Sequence, residues 1–217
     1  CVRSAVLPRL RTDVPADWVL PDSPPVPDLP AYTLSRLGHG DVTVRVADPQ
    51  ADAPVVAAWM SRPHLVDTWE QPWPASRWAD QWREQVADTY SVPLLMLYQG
   101  VPVGYLEIYR PGRDEVGRCY RSESHDLGFH IAVGEPGLTG RGIFSRLMPV
   151  LADAMLDADP SCQLVVVDPA VGNQRMHRAL LNNGWSGGAE RQPRPDRRIR
   201  LFYRGVDTVD PTSRGLV

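Results

Sequence analysis

Lysine is absent from this 217-residue chain; all 23 basic residues are arginine. That excludes a lysine Schiff base or lysine general base from the chain's own chemistry. Against 26 acidic residues the formal charge is −3, which is not the footprint of a nucleic-acid binder. Cysteine is scarce too. Cys1, Cys119 and Cys162 stand far apart, without the spacing of a metal site or a disulfide framework, and are expected to be reduced thiols of a cytoplasmic protein. No apolar run approaches the ~20 residues that span a bilayer. Residues 1–30 lack the apolar core of a secretory leader, so neither export nor a membrane partner is expected. The chain opens on Cys1 rather than Met and is expected to be numbered from inside a longer one.

Proline, by contrast, is plentiful, with 22 residues. The stretch PDSPPVPDLP reads as extended chain, and residues 1–37 are expected to form an N-terminal arm draped over the rest. Residues 38–206 suffice for one domain with a sizeable core. Residues 207–217 are expected to be a loose C-terminal tail.

Within the domain, residues 42–47 alternate as a first strand. Asp48 to Ser61 reads as a helix with Val55, Val56, Trp59 and Met60 on one stripe and Pro54 near its first turn. The proline-broken stretch SRPHLVDTWEQPWP follows, then a helix over residues 76–89 in which Trp78 and Trp82, at i and i+4, are expected to be core. Strands at 92–98 and 101–108 flank Gln99-Gly100, a tight-hairpin signal. Residues 110–124 read as a polar loop. Residues 163–168 form a buried strand, Asn173 to Asn183 a helix stopped by Gly184, and residues 197–204 a last strand.

The stretch from Asp126 to Leu156 organises the rest. Leu127, Phe129, Ile131 and Val133 alternate with Asp126, Gly128, His130 and Ala132, so the strand has one apolar face and one that carries a histidine. Gly134, Gly137, Gly140 and Gly142 then lead into an amphipathic helix. A strand that feeds a glycine-rich helix N-terminus is suited to an anion, because unpaired N–H groups and the helix dipole point at it. Gly140, Arg141 and Gly142 are the candidates for that seat, with Arg146 one turn on. The helix links the strands at 126–133 and 163–168 in a crossover, which makes them parallel and brings His130 and Asp168 to neighbouring strand ends. Asp126 lies four residues from His130, about 13 Å along the strand, and cannot orient that imidazole. His125 falls on the opposite face, and no metal site is expected.

The chain resembles the GNAT N-acyltransferase superfamily over roughly residues 41–205, on the element order, the glycine turn and the block N-Q-R-M-H-R-A-L-L-N-N-G-W from Asn173 to Trp185. The segments W-M-S-R-P-H-L (59–65), W-E-Q-P-W-P (69–74), G-Y-L-E-I-Y (104–109), D-L-G-F-H (126–130), R-G-I (141–143) and D-P-A-V-G-N (168–173) are similar to the siderophore-biosynthesis branch, which acylates lysine in mycobactin assembly and acetylates hydroxylysine in aerobactin assembly. The resemblance implies an α/β GNAT fold, a mixed central sheet with two splayed parallel strands flanked by helices. The donor's pantetheine would lie in the gap between those strands. It implies a direct transfer from acyl-CoA to a side-chain amine or hydroxylamine of lysine, ornithine or a related diamine. His130 would be general base, and Asp168 its partner or the acceptor's anchor. Thr139, Gly140, Arg141, Gly142, Ile143 and Asn173 would contact the donor. Trp69, Glu70 and Trp73 would line the acceptor pocket.

Two positions depart from the superfamily pattern. The phosphate motif aligns with Thr139, Gly142 and Phe144, keeping only the middle glycine and placing bulky Phe144 where backbone normally approaches phosphate, so the donor is expected to be either coenzyme A, bound differently, or an acyl carrier protein. The Arg191–Arg200 cluster is either a solvated edge or a dock for such a carrier. Leu180 stands where many of the superfamily's members place an acidic tyrosine. No tightly bound cofactor is expected. An aminoglycoside N-acetyltransferase is the alternative enzyme, and a non-catalytic carrier-binding module the alternative of another class.

Overall fold

The computed structural model describes residues 21–27, 42–69 and 71–217. Among the described residues seven strands form one sheet: β1 (Val42–Val46), β2 (Ser91–Tyr98), β3 (Val101–Tyr109), β4 (Leu127–Val133), β5 (Leu164–Val167), β6 (Ser186–Arg194) and β7 (Arg197–Gly205). Their spatial order is β1-β2-β3-β4-β5-β7-β6. Every neighbouring pair is antiparallel except β4 and β5. Five α-helices cover the sheet: α1 (Ala53–Met60), α2 (Pro63–Trp69), α3 (Ala75–Asp88), α4 (Ile143–Ala158) and α5 (Gln174–Leu181). The mixed sheet with one parallel pair is the expected architecture.

Period-2 alternation divides the core. Leu127 and Phe129 of β4, with Leu106 and Ile108 of β3, pack against Leu147, Leu151 and Met155 of α4. The other face buries Tyr105 and Leu95 under Trp78 and Trp82 of α3 and Trp59 of α1. Trp78 and Trp82 are therefore core, as their spacing implies. Gly134 follows β4 because a Cβ there would come within 2.2 Å of the Trp59 ring. The β2–β3 hairpin turns on Gln99 and Gly100, at φ 51° and 75°, the left-handed pair that a two-residue turn requires.

Two elements differ from the sequence reading. Residues 63–69 form α2 inside the proline-broken stretch, because Pro63 sits at its first position, where no N–H is needed. Residues 186–194, to which the sequence reading assigned no element, form β6, an edge strand paired to β7 with two register shifts.

The arm and the tail are both pinned where described. Val26 N–H donates to Thr89 O, and the buried Arg110 guanidinium donates to the carbonyls of Pro24 and Pro25, to His125 O and to Asp159. The rest of the arm lies outside the described residues. The tail expected to be loose is instead packed. Leu216 is buried, Ala189 N–H donates to its carbonyl, and the Arg214 guanidinium is ion-paired with Asp126. Asp126 is a structural carboxylate, buried and also accepting from Tyr120 Oη and Glu123 N.

Arg214→Ala would strand the Asp126 charge in the core. A loss of about 3–5 kcal/mol of stability is expected in urea unfolding. A loss under about 1 kcal/mol would show that the tail is dispensable to the fold.

Candidate active site

Only two residue pairs, Leu127↔Val165 and Gly128↔Val166, join β4 to β5. Beyond them the strands part. β4 continues along β3 to Val133, while β5 ends at Val167, just before Asp168 and Pro169. Proline has no N–H with which to continue a ladder. His130 and Asp168 face each other across the gap, with Nε2 3.1 Å from Oδ1.

Asp168 is held from three sides. Its Oδ1 also accepts from Tyr109 Oη at 3.2 Å, and its Oδ2 from Arg197 Nη2 at 2.6 Å. Arg197 in turn donates to Glu115 at 2.5 Å. Tyr109 reaches Asp168 because Gly128 lies opposite it; a Cβ at Gly128 would come within 2.7 Å of the tyrosine ring. The same ring stacks on the His130 imidazole at 4.5 Å between centroids, and Trp69 meets the imidazole edge-on at 6.0 Å.

These contacts set the protonation states. Burial alone would raise the Asp168 pKa, but the His130 and Arg197 charges and the bonds from His130 and Tyr109 outweigh it, leaving the carboxyl well below its ordinary range. Burial also disfavours the His130 cation, yet the Asp168 carboxylate outweighs it, with Glu107 and Asp114 adding, and the imidazole pKa rises to about 9. Burial and the Asp168 charge push the Tyr109 hydroxyl well above its usual value, so it stays a donor. An ionised Asp168 accepts the proton of His130 Nε2. Nδ1 is then the atom that gains or loses a proton, and it makes no hydrogen bond to any described residue.

A cavity of about 850 Å³ runs through this gap and is lined from both faces of the sheet. On one face stand Trp69, Trp73, Trp78, Gln85 and Glu107; on the other, Phe129, Ile131, Met148, Met176 and Leu180. His130 and Asp168 line it where β4 and β5 part. Glu107 lies directly across the β3–β4 pair from His130. It accepts from Ser91 Oγ at 2.6 Å, from Gln85 Nε2 at 2.8 Å and from Tyr105 Oη at 3.3 Å.

The glycine turn ends at the head of α4. Gly140 and Gly142 both have φ +79°, and Gly142 caps the 16-residue helix with no side-chain cap. Backbone donors there are arranged for an anion. The Arg175 side chain of α5 lies over the turn, since a Cβ at Gly140 would come within 2.8 Å of its Nη2. Arg146 Nε flanks Gly142, 3.9 Å from the corresponding position. Phe144, whose bulk seemed to crowd the phosphate cradle, instead turns inward and is buried with Leu147 and Met148.

The remaining candidates divide. Asn173 lines the cavity and caps α5, accepting from Met176 N at 3.1 Å. Thr139 donates its hydroxyl to Pro136 O, and Ile143 packs at the edge of the core. Neither these two nor Gly140, Arg141 and Gly142 line the cavity; they form the turn and first residue at the head of α4. Glu70 lies outside the described residues. Trp73 lines the cavity with Arg77 stacked over its ring. Trp59 does not line it; its Nε1 donates to Glu135.

The Arg191–Arg200 cluster is not a free basic edge. Arg191 donates to the carbonyls of Cys119 and Gly215, Arg198 pairs with Glu190, and Arg197 holds Asp168. Arg197 and Arg198 are thus matched by carboxylates, whereas Arg191 is bound to neutral carbonyls and keeps its charge uncompensated by them. Among the described residues no cluster of His, Cys, Asp and Glu could hold a metal. No helix there is long and apolar enough to cross a membrane.

Residues 48–192 match the family described as acetyltransferase (GNAT) domain. The chain is 34% identical to lysine N-acyltransferase MbtK of Mycolicibacterium paratuberculosis over 94% of its own length and 88% of that protein. It is 35% identical to the MbtK of Mycobacterium sp. (strain MCS) over 76% of its length, and spans 64% of that relative. It is 28% identical to the N(6)-hydroxylysine O-acetyltransferase of Escherichia coli over 80% of its length and 55% of that protein. Among solved structures, aminoglycoside acetyltransferase AAC(6')-Ib in complex with coenzyme A superposes with a TM-score of 0.66 at 20% identity, covering 76% of this chain and 95% of that one. At that identity the likeness shows the fold.

Asp168→Asn removes the charge that outweighs burial at His130. Followed by the imidazole C–H resonances, the His130 pKa is expected to fall from about 9 to 6.5 or below. A value that stays near 9 would place the source of the shift elsewhere.

Proposed function

The chain belongs to the GNAT acetyltransferase family, and from that premise we propose that it transfers an acyl group from acyl-CoA to a side-chain nitrogen of lysine, ornithine or a related diamine, as amine or hydroxylamine, making the amide or hydroxamate of a siderophore. One observation carries this reading. The cavity is lined by residues of both faces of the sheet and by the His130–Asp168 pair at the β4–β5 gap, so two substrates entering from opposite faces would meet at the imidazole.

In this reading the donor's pantetheine lies in the gap between β4 and β5. Its phosphates sit at the α4 N-terminus, where Gly140 and Gly142 leave the backbone open and Arg175 and Arg146 supply charge. The acceptor enters along the tryptophan-lined face. Its nitrogen, as the free amine, attacks the thioester carbonyl; the C–N bond forms, the C–S bond breaks, and the nitrogen's proton passes to Nδ1 of the neutral fraction of His130, a fraction that grows as the pH rises toward the imidazole pKa of about 9. The departing thiolate then takes a proton from the imidazolium or from solvent. Asp168 is a positioning residue that fixes the imidazole's rotamer and tautomer. No nucleophilic side chain stands beside His130 among the described residues that line the cavity, which favours direct transfer in a ternary complex over an acyl-enzyme.

A single-turnover assay read by mass spectrometry tests this. Lysine, ornithine and their N-hydroxy forms are each offered with acetyl-CoA and a long-chain acyl-CoA, to the wild type and to His130→Ala. Acylation of one side-chain nitrogen, reduced at least ~100-fold by the substitution, is the expected outcome. No product from any pair, with acetylation of kanamycin, would overturn the siderophore reading in favour of an aminoglycoside acetyltransferase.

A further inference from the structure

Glu107 and Gln85 face the acceptor half of the cavity, and the proposed reaction has given neither a task. Glu107 stands on β3 directly opposite His130. Side chains directly opposite on antiparallel strands have Cβ atoms about 5 Å apart, both residues line the cavity, and the Glu107 charge is felt at the imidazole, whose pKa it helps to raise. The carboxylate is held in place. Oε1 takes two short bonds, from Ser91 Oγ and Gln85 Nε2, while Oε2 receives only the longer one from Tyr105 Oη. Gln85 spends its N–H₂ group on Glu107 and Ser91, and its Oε1 is buried with no hydrogen-bond partner. A buried acceptor without a donor costs stability unless a ligand supplies one. Trp69, Trp73 and Trp78 line the same half of the cavity as these two residues, and aromatic faces attract cations.

Resting on the acyl-transfer reading above, we propose that Glu107 Oε2 and Gln85 Oε1 form a seat for the ammonium form of the acceptor's side-chain nitrogen, so that the site selects a charged primary amine over a neutral hydroxylamine. Both oxygens only accept, and an ammonium only donates. A hydroxylamine nitrogen, uncharged at neutral pH, gains no Coulomb attraction from Glu107. The seat also bears on the proton transfer. The seated ammonium must first give up one proton to become the attacking amine; that proton passes to the neutral imidazole and on to solvent, and a cation beside His130 favours that neutral form.

The test is calorimetric binding at pH 7.5, in the presence of coenzyme A, of lysine and of N6-hydroxylysine to the wild type and to Glu107→Gln. Lysine affinity is expected to fall at least ~10-fold in E107Q, as loss of a charged hydrogen bond implies, while N6-hydroxylysine affinity changes less than ~3-fold. The near-isosteric glutamine keeps an oxygen for Ser91, and an unchanged urea midpoint confirms an intact fold. Gln85→Met, which removes Oε1 alone, is expected to weaken lysine about fivefold and serves if E107Q is unfolded. Equal losses for the two acceptors, no loss for lysine, or no lysine binding by the wild type would each overturn the seat. Lysine bound with the expected selectivity but never acylated would uphold the seat and overturn the acyl-transfer reading instead.

Discussion

Asp168 keeps a negative charge where only 1% of its side chain meets solvent, and it does so by accepting from His130, Tyr109 and Arg197 at once. An isolated buried carboxylate would be protonated or would destabilise the fold. This one is compensated by groups from three other strands: β3 supplies Tyr109, β4 His130 and β7 Arg197. The carboxylate therefore ties together the strands that the β4–β5 divergence would otherwise leave apart. It also fixes the imidazole's tautomer, its orientation and its raised pKa. The gap, the cavity through it and the direction in which the histidine exchanges a proton all depend on that cluster.

Much of this was legible in the sequence. Alternation in residues 126–133 placed His130 on the face away from α4, and the strand–helix–strand order made β4 and β5 parallel, which brought Asp168 beside it. The Gln99-Gly100 turn, the glycine-rich head of α4 and the tryptophans of α3 each follow from local chemistry. The partners of the pair were not legible for a single reason. Tyr109, Glu107 and Arg197 lie on strands whose register with β4 and β5 no local pattern states, and Arg197 sat within a run of arginines that read as surface. Glu107 and Tyr109 fall in the same G-Y-L-E-I-Y segment, and period-2 alternation alone puts them on one face; knowing that β3 pairs with β4 would have placed both beside His130.

Other misreadings have equally specific causes. β6 carries Gly187, Gly188 and Pro193, poor strand formers that an edge position tolerates. The tail has few apolar residues, Val209, Leu216 and Val217, yet Leu216 is buried and Arg214, matched to a buried aspartate, ties it down. Phe144 looked like an obstacle to a phosphate because alignment shows which residue occupies a position but not where its side chain turns. Arg175 comes to lie over the glycine turn only once α5 is packed beside α4.

The central claim is spatial: donor and acceptor approach from opposite faces of the sheet and meet at His130, between β4 and β5. A crystal structure of the protein with coenzyme A and lysine, a dead-end pair that cannot react, tests it most directly. The account predicts the coenzyme's sulfur in the β4–β5 gap, its pyrophosphate on the turn at Gly140–Gly142, and the lysine side-chain nitrogen between Glu107 and His130 Nδ1. Coenzyme A bound away from that gap, or lysine on the same face of the sheet as the coenzyme, would contradict it.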